Sequence, residues 1–421
     1  MTGADPGRDA VAAAFRAEWP RILATLIRMT GSVELAEDSV QEAFGRALVA
    51  RDRALLINPA AWITTVARRI ALDALRRDEA LRARLPRLLE AADTPWADDA
   101  VVDDDRLGLV FLACAPELTP ETRLALALRF VCGVPTEAIA DALLVQHTAM
   151  SARLTRAKRR IEHEGIRFAT PDEQERVRRL DDVLSTVYVL YTTAYAAPSG
   201  SPIGADRRAA ATAIELARAL RRMRPDDPEV AGLLALLLLT DARAGGRFAD
   251  DGRLATLEIA DRRSWDRAAI EEGIALATIA LPGGGRYALQ AGIAGLHAEA
   301  ARWSDTDWAA IGALYDRLIE VWPSPAVATA RVVARSYGPH GPEQALAELD
   351  AIAPDPAGAA GRQLVAVRAD LLRRSGRLAE ARVLFERARR AEPHERIRSF
   401  FEQRIAELDG GGATAESGAH R

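Results

Sequence analysis

A chain of 421 residues and 45.5 kDa is too long for one small core and implies two to four domains. Aromatics make up 5%, mean hydropathy is −0.07, and alanine, leucine and arginine dominate, a mixture that favours soluble helices over sheets. A net charge of −4 argues against nucleic-acid binding only as an average, because the distribution of charge governs a multidomain chain.

Residues 10–88 read as amphipathic helix ending in a basic segment. The first informative element is SVELAEDSVQEAFGRAL, residues 32–48. Leu35, Val40, Phe44, Ala47 and Leu48 recur at helical spacing and are expected to face a core. Glu34, Glu37, Asp38, Gln41 and Glu42 line the other side. That acidic stripe is either a solvated face or the complement of a basic partner.

NPAAWITTVARRIALDALRR, residues 58–77, follows, with Pro59 marking the helix start. Ile63, Val66, Ala67, Ile70 and Ala74 form the expected apolar face, and Trp62, Thr65, Arg69, Asp73 and Arg76 oppose it. From Arg68 to Arg87 seven arginines stand against three acids, a local excess of +4. An exposed tryptophan beside arginines can stack on an unpaired base while the cations hold phosphate; spacing alone fits a core tryptophan equally well. Residues 89–105 are expected to be an acidic linker: from Glu90 to Asp105 there are seven acids and no base.

Helical patterning resumes over 106–165. In EAIADALLVQHTAMSARLTRAKRRI a short helix from Thr136, a turn at Val145 to His147 and a second helix from Thr148 give a helix-turn-helix. Its exposed face offers Thr148, Ser151, Ala152, Arg153 and Arg156 to base edges, with Lys158, Arg159 and Arg160 beyond for phosphates. Five basic residues between 153 and 160 strengthen an otherwise common pattern. His147 reads as structural or solvated.

A helical block over 175–408 precedes a tail, 409–421, expected to be disordered. Residues 362–393 place Ala369, Leu372, Gly376, Ala381, Phe385, Ala388 and Pro393 as a tetratricopeptide unit requires, and Ile311, Ala345 and Ala381 recur 34 and 36 residues apart. Ala213 with Pro225 marks an earlier, degenerate unit. The Gly283-Gly284-Gly285 run follows no strand and reads as a plain loop, not a phosphate cradle.

Enzyme signatures are missing from the sequence. The single lysine, Lys158, lies outside any Walker A pattern, and the six histidines have no paired-ligand spacing. Neither a cofactor nor a metal is expected. Cys114 and Cys132 are expected to be buried, reduced thiols. The N-terminus has no apolar leader and the longest apolar run, Val230 to Leu239, is half a membrane span, so a soluble, cytoplasmic protein is expected.

AEDSVQEAF, then AWITTVARRIALDALRR, then EAIADALLVQHTAMSARLTRAKRRI resembles, in that order, the extracytoplasmic-function sigma factors from region 2 through region 4. RLDDVLSTVYVLYTTAY, residues 179–195, resembles the start of the extension in the subgroup with a tetratricopeptide-like domain. The resemblance implies an all-α fold: region 2 over 10–88, region 4 over 106–165, and a helical-repeat extension over 175–408. It implies an alternative sigma factor, not an enzyme, that binds core RNA polymerase through the clamp helices of the largest subunit, with region 4 on the flap. Glu37, Asp38, Gln41, Glu42 and Phe44 match the polymerase contact. Trp62, Thr65, Arg68, Arg69, Arg76 and Arg77 match the −10 contact, where a base leaves the stack. Thr148, Ser151, Ala152, Arg153, Arg156, Lys158 and Arg159 match the −35 contact. A regulatory protein on the repeat is a further expected partner. The chain departs from the family pattern at Arg69 (usually asparagine), Ala149 (usually threonine) and Thr192-Thr193-Ala194-Tyr195 (usually Asn-Glu-Gly-Tyr). The rival reading is a helix-turn-helix regulator with a repeat domain, acting on duplex DNA without polymerase.

Overall fold

The computed structural model describes residues 6–50, 58–77, 100–143, 145–164, 173–195, 203–246, 255–352, 359–392 and 395–416. Every regular element among them is helical, as the composition implies. The chain divides into two compact units, one of Met1–Ala197 with Ser201–Leu220 and one of Pro198–Gly200 with Arg221–Arg421.

The first unit opens with α1 (Pro6–Thr30), α2 (Val33–Val49) and α3 (Pro59–Arg77), which pack on one another. Gly31, at φ 67°, turns the chain between α1 and α2, a left-handed conformation that glycine adopts without steric cost. Ser32 then caps α2 by accepting from the Leu35 amide at 3.1 Å. Trp19, Ile22, Leu23, Val40, Ile63 and Leu75 form the shared core. Phe15, Trp19 and Phe44 stack within it, with the Phe15 and Phe44 rings 4.9 Å apart and edge-on.

Four helices follow: α4 (Ala100–Ala113), α5 (Pro120–Phe130), α6 (Thr136–Ala142) and α7 (His147–His163). The acidic stretch thus differs from the expected linker over its last six residues, which begin α4. Asp105 is buried there because Arg28 of α1 forms an ion pair with it, and α4 packs on α1. The helix-turn-helix forms as read, with α7 starting one residue early at His147. The Val145 amide donates to the Ala140 carbonyl in the turn, at 2.9 Å.

The extension begins with α8 (Glu173–Tyr195) and α9 (Ile203–Met223), and these differ from the expected boundary near 175 by belonging mostly to the first unit. The reason is the apolar stripe of α8: Val183, Leu184, Val187, Leu190 and Tyr191 are buried, and α8 packs on α5 and α4. Cys114 lies beneath α8 with its sulfur 3.2 Å from the Thr186 hydroxyl; Asp182 pairs with Arg123 and Glu215 with Arg106. Burial pushes the Cys114 thiol up to about 12.

The second unit holds α10 (Pro228–Asp241), α11 (Arg267–Ala280), α12 (Arg286–Glu299), α13 (Trp308–Val321), α14 (Pro325–Tyr337), α15 (Gly341–Asp350), α16 (Ala359–Arg374), α17 (Leu378–Ala391) and α18 (Glu395–Glu416). From α12 onward each helix packs on the next. The apolar run Val230–Leu239 lies in α10, which is buried on every side between α11 and α12. No helix of the described residues is long and apolar enough to cross a membrane. Ile311, Ala345 and Ala381, the three positions read as a period, are fully buried, as are Ala369, Leu372, Phe385 and Ala388. Gly376, at φ 76°, ends α16 with the Arg377 amide donating to the Leu372 carbonyl at 2.9 Å. Pro393 lies outside the described residues. The expected disordered tail differs from the structure over 409–416, where α18 continues; adding residues to a formed helix costs far less than starting one.

In the glycine run, Gly283 ends a 3-10 turn (Leu281–Gly283), and Gly284 and Gly285 form the loop before α12. Gly284 is left-handed, and the Tyr287 and Ala288 amides that open α12 both donate to the Glu229 carboxylate, at 3.1 and 3.0 Å. Two of the amides an anion would use are thus occupied.

Candidate nucleic-acid interface

The polymerase set divides by burial. Asp38, Gln41 and Glu42 are exposed on α2, whereas Glu37 and Phe44 are buried. The buried stripe is Val33, Ala36, Glu37, Val40, Ala43, Phe44 and Ala47, a helical register that includes a carboxylate. Two expectations therefore change. Glu37 sits on the inward side, and Leu48, assigned to the core, is half exposed because it falls outside that register. Phe44 is buried within the aromatic stack with Phe15 and Trp19.

Glu37 is tolerated inside because cations meet it. It accepts from Arg129 at the end of α5 and from Lys158 Nζ in α7 at 3.0 Å. Burial pushes its carboxyl up, but Arg129 and Lys158 together outweigh this and hold it below its ordinary value. Asp38 is pushed up, first by burial and then by Glu37 and Glu34, with Lys158 opposing.

On α3, Thr65, Arg69, Arg76 and Arg77 are exposed, while Trp62 and Arg68 are half-buried. The buried face is Ile63, Thr64, Ala67, Ala71 and Leu75, rotated from the expected one: Val66, Ile70 and Ala74 lie at its edge. Asn58 caps the helix by accepting from the Ala61 amide at 3.0 Å. Arg76 lies 3.4 Å from Asp73, and Arg77 donates to the Asp73 carbonyl. Arg82, Arg84 and Arg87 of the basic segment lie outside the described residues.

On α7 the stripe Met150, Leu154, Ala157 and Ile161 is buried, which turns Thr148, Ser151, Ala152, Arg156 and Arg159 outward. Arg153 is half-buried beside them. Lys158 departs from this pattern: its side chain is 15% exposed because it reaches back to Glu37. Sequence reasoning missed Arg129 and Glu162. Arg129 closes the apolar run LALALRF, and a lone cation in such a run signals a buried carboxylate elsewhere.

Comparison with known proteins bears on these helices together. Residues 14–80 match the model described as Sigma-70 region 2, and residues 109–161 match Sigma-70, region 4. The chain is 30% identical over 180 residues to the probable ECF RNA polymerase sigma factor SigI of Mycobacterium tuberculosis, covering 40% of this chain and 60% of that one. Another relative in that organism, ECF RNA polymerase sigma factor SigJ, is 30% identical over 156 residues, covering 35% of this chain and 48% of its own. The chain belongs to the extracytoplasmic-function sigma factors.

The resemblance extends past region 4. An uncharacterized protein of Rhizobium meliloti is 39% identical over 389 residues, covering 88% of this chain and 89% of the relative. Residues 179–281 match a family of unknown function, DUF6596, which takes in α8 through α11 of this sigma factor. No solved structure matches. As a member of its family it is an alternative sigma factor, a DNA-binding initiation factor and not an enzyme, with core RNA polymerase and promoter DNA as partners.

Proposed function

We propose that this sigma factor, acting in the cytoplasm, meets the clamp helices of the largest polymerase subunit through the exposed Asp38, Gln41 and Glu42 of α2. Region 4 takes the polymerase flap. On promoter DNA, Trp62, Thr65, Arg68, Arg69, Arg76 and Arg77 serve the −10 element: the arginines hold phosphate and Trp62 stacks on a base released from the duplex. The −35 element is read by α7, with Thr148, Ser151, Ala152, Arg153 and Arg156 toward base edges and Arg159 and Lys158 toward phosphate. Nucleotide addition is left to polymerase. The extension, a tetratricopeptide-like array supported by the burial of Ile311, Ala345 and Ala381, modulates activity and offers a surface to a regulatory protein.

The observation that carries this reading is the geometry of α7, whose buried stripe leaves Thr148, Ser151, Arg156 and Arg159 exposed beside α6 in a helix-turn-helix. The test is a run-off assay with core polymerase and a promoter selected from random DNA by the holoenzyme. Promoter-dependent transcripts are expected. Duplex binding of equal strength with and without core, and no transcript from any selected template, would instead establish the polymerase-independent regulator.

A further inference from the structure

Within the second unit lies a cleft of about 140 Å³ that takes no part in the function proposed above. Helical spacing builds two of its walls. On α16, Ala366 and Asp370 stand four residues apart on one face, and on α18 Phe400 and Arg404 do the same. Ala366 is too small to fill the space, and the rings of Trp303, Tyr337, Phe400 and Phe401 line it. A further wall is a turn before α11, in which the Thr256 carbonyl accepts from the Ile259 and Ala260 amides at 3.1 and 3.0 Å. This turn brings Thr256 and Glu258 to the cleft.

Two polar groups in the lining lack partners among the described residues. Thr256 Oγ1 is shielded from solvent and makes no hydrogen bond. The Glu258 carboxylate makes neither a hydrogen bond nor an ion pair, although Arg373 is within range of its charge. The other charges of the lining are matched: Asp370 pairs with Arg373 at 2.8 Å and Arg404 with Glu407 at 2.8 Å. The uncompensated charge in the cleft is therefore negative. Its rings also present faces that attract cations: the Arg374 guanidinium lies 3.7 Å from the centre of the Tyr337 ring, and that of Arg404 lies 5.2 Å from the centre of Phe400.

A carboxylate beside aromatic faces selects a cation over a neutral or anionic group of the same shape. Volume limits the size of that cation, since a cavity of about 150 Å³ holds one benzene. The shielded hydroxyl adds a preference for N–H donors, because a buried oxygen regains on binding the hydrogen bond it otherwise forgoes.

We infer that this cleft binds a small organic cation, an ammonium carried on a single ring or a short apolar stem, with its N–H groups shared by Glu258 and Thr256 and its body held by the rings. The extension thus carries a receptor site of its own, independent of the polymerase and promoter assignments and of any protein on the surface of the repeat. A cation seated there ties the turn before α11 to α16 and α18.

Isothermal titration calorimetry on the full chain near pH 7 tests the site with three single-ring probes: benzylamine, benzyl alcohol and benzoate. The amine is expected to bind at least about tenfold more tightly than the alcohol, and benzoate more weakly than either. Glu258 is exposed, so its substitution leaves the fold intact, which circular dichroism checks. Glu258→Gln should bring the amine to within about twofold of the alcohol, and Glu258→Lys should reverse the preference towards benzoate. Thr256→Val, which removes a hydroxyl with no partner to lose, should weaken the amine about threefold and leave the alcohol less affected. Amine binding no tighter than that of the alcohol, or a preference unmoved by Glu258→Gln, overturns the site. So does the absence of benzylamine binding up to about 10 mM.

Discussion

Glu37→Gln removes the carboxylate that Arg129 and Lys158 share and leaves the two cations facing each other. Removing one partner of a fully buried ion pair costs about 3–5 kcal/mol, most of it the penalty of the charge left behind. Here the Arg129 and Lys158 side chains keep 13% and 15% exposure, so water relieves part of that penalty. Glutamine also still accepts one of the two hydrogen bonds. About 2 kcal/mol is therefore expected, roughly a 30-fold shift in the local opening equilibrium. Hydrogen exchange by mass spectrometry on the full chain reads it directly. Near pH 7, amides of α2 and α7 protected by their contact should exchange about 30-fold faster in the variant, and those of α10 to α12 should not change. The pH dependence follows from the sign of the shift. Glu37 titrates below its ordinary 4.5 when folded, so its contribution is fully present above that value and is lost as pH falls through the lowered one. The gap between parent and variant should hold from about pH 7 to 5 and close in stronger acid. Asp38 also titrates in both chains, but higher in the parent, where Glu37 helps push it up. Equal exchange near pH 7, or a gap that survives to about pH 2, would refute the account of how Glu37 is accommodated.

Four other outcomes are expected. Arg153→Ala should cost ~1–3 kcal/mol at a matched −35 site and relax one base position, whereas Arg159→Ala should weaken all sequences alike and lower the salt slope by about 1 in a filter-binding titration. Asp38→Arg with Glu42→Arg should abolish core binding at moderate salt while leaving the helical circular dichroism intact, because both residues are exposed. His297 is pushed down to about 4 by burial, then by Arg243 and Arg262, so its folded form resists protonation; between about pH 7.5 and 5.5 the parent should lose about 1.4 kcal/mol of stability that His297→Gln retains, measured by denaturant unfolding of the second unit. Truncation after residue 170 should change run-off transcription substantially, and because it strips α8 from α5 it should also make Cys114 reactive toward a thiol reagent; a Cys114 still inert in the truncated chain would contradict the packing seen here.

Much of this protein was legible from its residues. The helical class follows from composition, and the helix-turn-helix from Thr136 onward follows from local spacing, because hydrogen bonds within a few residues and a stripe of apolar side chains define such elements. Ile311, Ala345 and Ala381, singled out by their spacing, are buried. Tertiary structure decided the rest. Whether the stripe of α2 takes in Glu37 or excludes it depends on cations 92 and 121 residues away, and a helical wheel cannot see them. Residues 179–195 resembled the start of the extension, and only the packed chain shows Val183, Leu184, Val187, Leu190 and Tyr191 buried as α8 packs on α5 and α4. Lys158 shows the limit most directly: spacing puts it on a cationic face with Arg156 and Arg159, yet a carboxylate from another part of the chain draws it inward. Periodicity says which side of a helix avoids water. Only the packed chain supplies the partner that sets how much burying a charge costs.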